Sequence, residues 1–135
     1  MPIRTTGSFR SADWQEHAVG GAEASPRLAR ASVTNHFSGG IEAGVTSCEY
    51  TIAYVTEKAG TFTGLELLAG RLDGREGGFV AEQRGTFEAD GSVHCTFEVV
   101  PGSGTAALTG LRGTGGFVSR PGDTVVPYTF EYELD

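Results

Sequence analysis

Positive charge is scarce in this chain. A single lysine and nine arginines stand against 17 acidic residues, giving a formal charge of −7 and a pI near 4.9. That balance excludes the basic footprint that nucleic acid or an anionic membrane surface requires. Cysteine is scarce too. Cys48 and Cys95 belong to no C-x-x-C pair, and His17, His36 and His94 form neither H-x-H nor H-E-x-x-H. No metal and no cofactor is therefore expected. No stretch approaches the roughly 18 consecutive apolar residues of a membrane-spanning helix. The first residues, Met1 to Ser8, contain no apolar core of a secretory signal. The expectation is a cytoplasmic protein whose two thiols stay reduced and serve as small buried residues.

Also missing is any run with the 3.6-residue period of an amphipathic helix, which excludes crossover α/β folds. What is present is glycine, 21 of 135 residues, set between short aromatic and β-branched runs. The length suits one domain covering residues 1–135. The apolar period is close to two almost throughout, the mark of half-buried strands. Val126, Tyr128, Phe130 and Tyr132 alternate with Pro127, Thr129 and Glu131. Phe79, Ala81, Gln83, Gly85 and Phe87 share a face within 77–88, and Val93, Cys95, Phe97 and Val99 do so within 92–99. Further strands are read at 3–14, 27–38, 44–56, 60–72 and 113–119. In the 60–72 strand both faces are partly apolar, as when one face lines an interior and the other meets a second subunit.

The connections carry turn chemistry. Asp73-Gly74 and Asp90-Gly91 are hairpin signals, and Pro121-Gly122 is a turn. Residues 16–26 read as a surface loop, and Thr105 to Leu111 as one helical turn. The loop at Pro101 to Thr105 lacks the lysine and long following helix of a phosphate-binding loop. About eight antiparallel strands joined by short turns predict an up-and-down barrel, which removes exposed edges and has room for packed side chains or one small ligand.

Several segments carry a family likeness. They are Leu28 to Thr34 with Phe37-Ser38-Gly39, then Phe62-Thr63-Gly64-Leu65-Glu66, then Gly70 to Arg75 and Gly78-Phe79-Val80. The last are Val99 to Thr105 and Leu108 to Gly113. In this order and spacing the chain resembles, over nearly its whole length, a family of small bacterial proteins known as domain of unknown function 3224. That family looks like the allene oxide cyclase barrel group, with the dirigent proteins and the cyclases that form spirotetronates. The resemblance implies an all-β, eight-stranded, calycin-like antiparallel barrel, a homo-oligomer (dimer or trimer), with a ligand cavity at one end. It also implies a cofactor-independent cyclase or isomerase acting on a hydrophobic small molecule, an intermediate of natural-product biosynthesis. The alternative is a lipocalin-like binding protein for a hydrophobic metabolite.

Such barrels work by positioning a flexible substrate, aided by a few polar groups where charge develops. Parity singles out two. Glu66 shares a face with Phe62, Leu68 and Leu72, where burial would raise its pKa and suit it to proton donation. Gln83 lies between Ala81 and Gly85 and would orient a substrate carbonyl. Each has a plainer reading, Glu66 as a structural carboxylate and Gln83 as the partner of a tyrosine hydroxyl. For the substrate-binding wall the candidates are Tyr50, Tyr54, Phe62, Phe79, Phe97, Tyr128 and Tyr132, apolar surfaces of which four carry a hydroxyl. Core packing would explain the same tyrosines. Trp14 reads as an anchor of the first strand, with a cap on the barrel mouth as the other reading.

Overall fold

A computed structural model of the chain describes residues 2–21 and 26–134. The two-residue alternation becomes nine antiparallel strands: β1 Ile3–Gly20, β2 Arg27–Gly39, β3 Ile41–Glu42, β4 Ser47–Tyr54, β5 Gly60–Leu72, β6 Arg75–Phe87, β7 Val93–Val99, β8 Arg112–Ser119 and β9 Val126–Glu133. They form one sheet in the order β3-β5-β4-β2-β1-β9-β8-β7-β6, and β5 also pairs with β6, so the sheet closes on itself as a ring. The strand not foreseen from the sequence is β3, which adds Ile41 and Glu42 beside Leu72 and Arg71 at the end of β5. Among the described residues the one helical piece is the 3₁₀ turn Ala106–Leu108, inside the segment expected to hold a helical turn.

The β5–β6 hairpin is the most regular part. Its register runs from Gly60↔Phe87 to Leu72↔Arg75 without a slip. Asp73 and Gly74 make the whole turn, with φ of 47° and 86°. Two consecutive positive φ values give the primed turn whose twist matches that of the flanking strands.

The first strand departs from expectation. It does not stop near Trp14 but continues to Gly20, because β2 runs alongside it as far as Leu28. The expected loop is correspondingly shorter, and residues 22–25 of it lie outside the described residues. Between Ala12↔Thr34 and Gln15↔Ser32, the two residues Asp13 and Trp14 oppose a single residue of β2. Asp13 takes a φ of 59° there. Such a bulge shifts the alternation by one residue. Phe9 and Ser11 face the interior before it, and Trp14 faces the interior after it.

The interior is unevenly filled. Towards the 3₁₀ turn, Phe79 and Phe97 stack on Phe130 with ring centroids 6.1 and 5.7 Å apart. Leu72, Leu108 and Leu111 complete this core. Towards the other end the cluster is smaller, with Ala29, Ala31, Ile52, Phe62 and Cys95. The outer face of β5 is apolar as well, with Leu65 and Leu67 52% and 56% exposed.

Inward glycines are matched to aromatic rings. Gly64 lies opposite Tyr50, Gly85 opposite Phe62, and Gly115 opposite Phe97. At each of these glycines an added Cβ would collide with the facing ring. The gap left on one strand is filled by a ring from its neighbour, a pairing that stabilises glycine within sheets. Glycine content here therefore records aromatic packing and not empty space. Gly85→Ala pushes a methyl group against the His94 carbonyl oxygen and into the Phe62 ring and is expected to cost about 1–3 kcal/mol. The readout is a lower urea midpoint with an unchanged slope; an unchanged midpoint would mean that both the ring and the β7 backbone give way freely.

Candidate functional site

Away from the packed end the ring opens into a cup. Its mouth is formed by β1 beyond the bulge, by the β4–β5 turn at Lys58 and by the β6–β7 turn at Ala89 and Gly91. The space inside is about 550 Å³, within the roughly 300–1,000 Å³ typical of ligand pockets. Its wall is strongly aromatic: Trp14, Tyr50, Tyr54, Phe62, Phe87 and Phe117 all line it. At the rim Glu16 accepts hydrogen bonds from the Tyr54 hydroxyl at 2.6 Å and from Trp14 Nε1 at 3.2 Å, tying β1 to β4. The Arg27 guanidinium lies 3.7 Å over the Tyr54 ring, a cation–π contact. Desolvation, with the Glu16 carboxylate beside it, pushes the Tyr54 phenol above its ordinary pKa.

Beneath the cup lies a buried polar network centred on Glu66, which is 2% exposed. Its Oε2 accepts from Asn35 Nδ2 at 2.8 Å and from the Thr46 hydroxyl at 2.5 Å. Its Oε1 accepts from Gln83 Nε2 at 2.5 Å. The network then branches upward. The Tyr50 hydroxyl donates to Gln83 Oε1 at 2.7 Å, and the Ser11 hydroxyl donates to Asn35 Oδ1 at 2.6 Å. Tyr50 and Ser11 both line the cup. Among the described residues no buried side-chain polar atom is left without a partner.

None of the groups bonded to Glu66 is a cation. Desolvation raises its pKa, and the bonds from Thr46, Asn35 and Gln83 work against that rise. Bonds to a charged group contribute about 1.5–3 kcal/mol each, so the three together offset part of the several kcal/mol that desolvating a carboxylate costs. The nearby thiols of Cys48 and Cys95 are both pushed up to about 12, chiefly by burial and also by the Glu66 charge. They stay neutral at ordinary pH, and Glu66 is the one carboxyl group among the buried side chains of the described residues.

The void around Glu66 and Gln83 is only about 10 Å³, about the limit for a single water. Phe9, Tyr50 and Phe117 line both this void and the cup, and Tyr50 is the polar member of the three. A larger volume, about 930 Å³, lies along Thr61, Thr86, Thr96 and Thr129. Those residues point outward from their strands and are exposed, so this is open outer surface. Among the described residues no three His, Cys, Asp or Glu side chains gather where a metal could sit. Among the described residues no helix is long and apolar enough to cross a membrane.

The model of the family described as "Protein of unknown function (DUF3224)" matches residues 5–132. The chain belongs to the DUF3224 family. A solved relative has the same fold: the crystal structure of a DUF3224 protein with unknown function from Shewanella oneidensis MR-1. It matches with a TM-score of 0.76 and 27% sequence identity, covering 100% of this chain and 99% of that one. No curated protein matches the chain.

Within this DUF3224 chain the residues singled out from the sequence fall into three places. Glu66 and Gln83 are bonded to each other in the closed network below the cup. Tyr50, Tyr54 and Phe62 line the cup. Phe79, Phe97, Tyr128 and Tyr132 belong to the core at the packed end. There the Tyr128 hydroxyl accepts from Ile41 N at 2.9 Å and donates to Ser38 O at 3.1 Å, holding the bend between β2 and β3. The Tyr132 hydroxyl donates to Asp73 at 2.5 Å, beside the β5–β6 turn. Trp14, read first as an anchor, stands on the cup wall with half of its surface exposed.

Asn35, Thr46 and Ser11 were missed. Asn35 had a signal: it shares the inward parity of Ala31, Val33 and Phe37, the same anomaly that marked Glu66 and Gln83. Thr46 had the same signal: within the strand expected at 44–56 it shares the parity of Cys48, Tyr50 and Ile52, although the observed β4 begins only at Ser47.

Raised in the folded state, the Glu66 pKa makes stability depend on pH. Its contribution is fully present below its ordinary value of 4.5 and is lost as pH rises through the elevated folded value. Thermal melts of wild type and Glu66→Gln between about pH 4 and about pH 8 are expected to differ increasingly against the wild type as pH rises. A difference moving the opposite way would mean that the three hydrogen bonds outweigh burial.

Proposed function

We propose that this protein binds a small, largely apolar aromatic molecule in its cup, within a ring that we infer to be a closed calycin-like barrel with β3 as a short addition. The observation that carries the reading is the division of the interior. One end is packed around Phe130, while the other keeps an aromatic space of about 550 Å³ above a fully bonded polar floor. Protein interiors pack as densely as organic crystals, and unfilled apolar volume forfeits dispersion contacts. A cavity of ligand size costs stability and so points to an occupant.

The likeness to cyclase barrels supports a second use of the same cup, a cofactor-free cyclisation or isomerisation of a hydrophobic substrate. Confinement in a reactive conformation would supply several kcal/mol of the barrier. Tyr50 would be the group at the substrate in that use. Glu66 and Gln83 would act through it as positioning residues, because the void they line has no room for a ligand.

Titration with a neutral fluorescent aromatic such as N-phenyl-1-naphthylamine tests the binding reading. A saturable rise in emission is expected for the wild type. Val93→Trp places a large ring on the cup wall and is expected to weaken binding at least about tenfold, or about 1.4 kcal/mol, with little change in the melt. Absence of saturable binding to the wild type, or equal binding by the variant, overturns the proposal.

A further inference from the structure

The polarity of the network fixes what the cup can recognise. A carboxylate only accepts hydrogen bonds, so Glu66 compels Asn35 and Gln83 to turn their NH₂ groups towards it. Their carbonyl oxygens then point the other way, and a carbonyl likewise only accepts. The Ser11 and Tyr50 hydroxyls that meet those oxygens have no choice but to donate downward, at 2.6 and 2.7 Å. Each hydroxyl has one proton, and both protons are spent on the network. The Cys48 thiol is a further hydrogen-bond partner of the Tyr50 hydroxyl and takes one share of its oxygen; what the two groups retain for the cup is oxygen lone pairs. One buried charge thus sets the direction of two side-chain relays, and both end on residues lining the cavity.

We propose that the cup selects aromatic molecules bearing a hydrogen-bond donor, a phenolic hydroxyl or a ring N–H, and discriminates against aromatics that only accept. The inference rests on the proposed binding role and names the ligand class for it. The aromatic wall takes the ring, and the Tyr50 oxygen, with Ser11 as a second acceptor, takes the proton. A ligand that only accepts would meet oxygen lone pairs at both positions, with its own polar group desolvated and unpaired. That asymmetry gives a site its strongest discrimination.

The network also states how to reverse the preference. In Glu66→Gln an NH₂ group replaces one carboxylate oxygen. At the Oε2 position it would face two donors, Asn35 Nδ2 and the Thr46 hydroxyl; at the Oε1 position it faces one, Gln83 Nε2. The new amide nitrogen therefore settles towards Gln83. Gln83 answers by turning its carbonyl to that nitrogen and its NH₂ to Tyr50, and the Tyr50 hydroxyl is released to donate into the cup. The Ser11 arm keeps its direction.

Calorimetric titration of two neutral probes, 2-naphthol as donor and 2-acetylnaphthalene as acceptor, reads this directly. Wild type is expected to favour 2-naphthol. The ratio of the two affinities is expected to fall about two- to tenfold in Tyr50→Phe, the span of one hydrogen bond, and at least as far in Glu66→Gln. Tyr50→Phe keeps the ring that fills the space over Gly64, so it serves even if the Glu66 variant fails to fold. Taking a ratio within each variant cancels differences in shape between the probes. Binding of both probes with the same ratio in wild type and Tyr50→Phe overturns the donor preference and leaves the cup as a binding site. Binding of neither probe to the wild type overturns the binding role itself, and this inference with it.

Discussion

A carboxylate with no cation beside it lies inside this protein, and the polar interior is arranged to satisfy it. Glu66 projects from β5 and takes its hydrogen bonds from β2, from β6 and from the segment that leads into β4. Neutral donors alone hold the charge, so each must be aimed, and aiming them orders everything attached to them. The small void around Glu66 and the lack of orphaned polar atoms among the described residues follow from the same demand. A partly satisfied network would be worse than an apolar core, because low dielectric magnifies whatever is left unpaired.

The ring and the network divide the labour. Closure by β5–β6 pairing supplies a continuous wall, and small inward residues such as Ala29 and Ala31 leave space at one end. At the other end large side chains meet in the middle, with Phe79, Phe97 and Phe130 stacked and Leu108 of the 3₁₀ turn closing the base. The Glu66 network forms the partition between the two. The solved DUF3224 relative shares this fold, with a TM-score of 0.76 over a match that covers 100% of this chain.

Much of this was legible in the alternation of residues. Strand β5 has the bounds that its alternation predicts, and the Asp73-Gly74 turn follows from chemistry that admits little else. Glu66 and Gln83 stood out as polar residues on apolar faces, and their burial at 2% and 3% exposure agrees with that parity. Illegible parts were those where alternation fails or where depth along the ring matters. The bulge at Asp13 reverses facing without a glycine or proline to announce it, so Trp14 could not be placed. Parity separates inside from outside but is blind to height, so Tyr50 and Tyr128 looked alike although one lines the cup and the other the packed end. Thr46 has the inward parity of Cys48 and Tyr50 but stands just ahead of β4, so its bond to Glu66 could not be read from alternation.

The carboxylate also has a consequence for how the chain reaches its fold. In strands with a period of two, a shift of one residue turns every side chain to the opposite face. Only in the native alignment do Asn35, Gln83 and Thr46 converge on Glu66. A slip of β2 or β6 would leave a bare charge in the interior or send its donors into water. The buried glutamate thereby acts as a registration mark, disfavouring misaligned rings through the cost of a buried carboxyl group left without its partners.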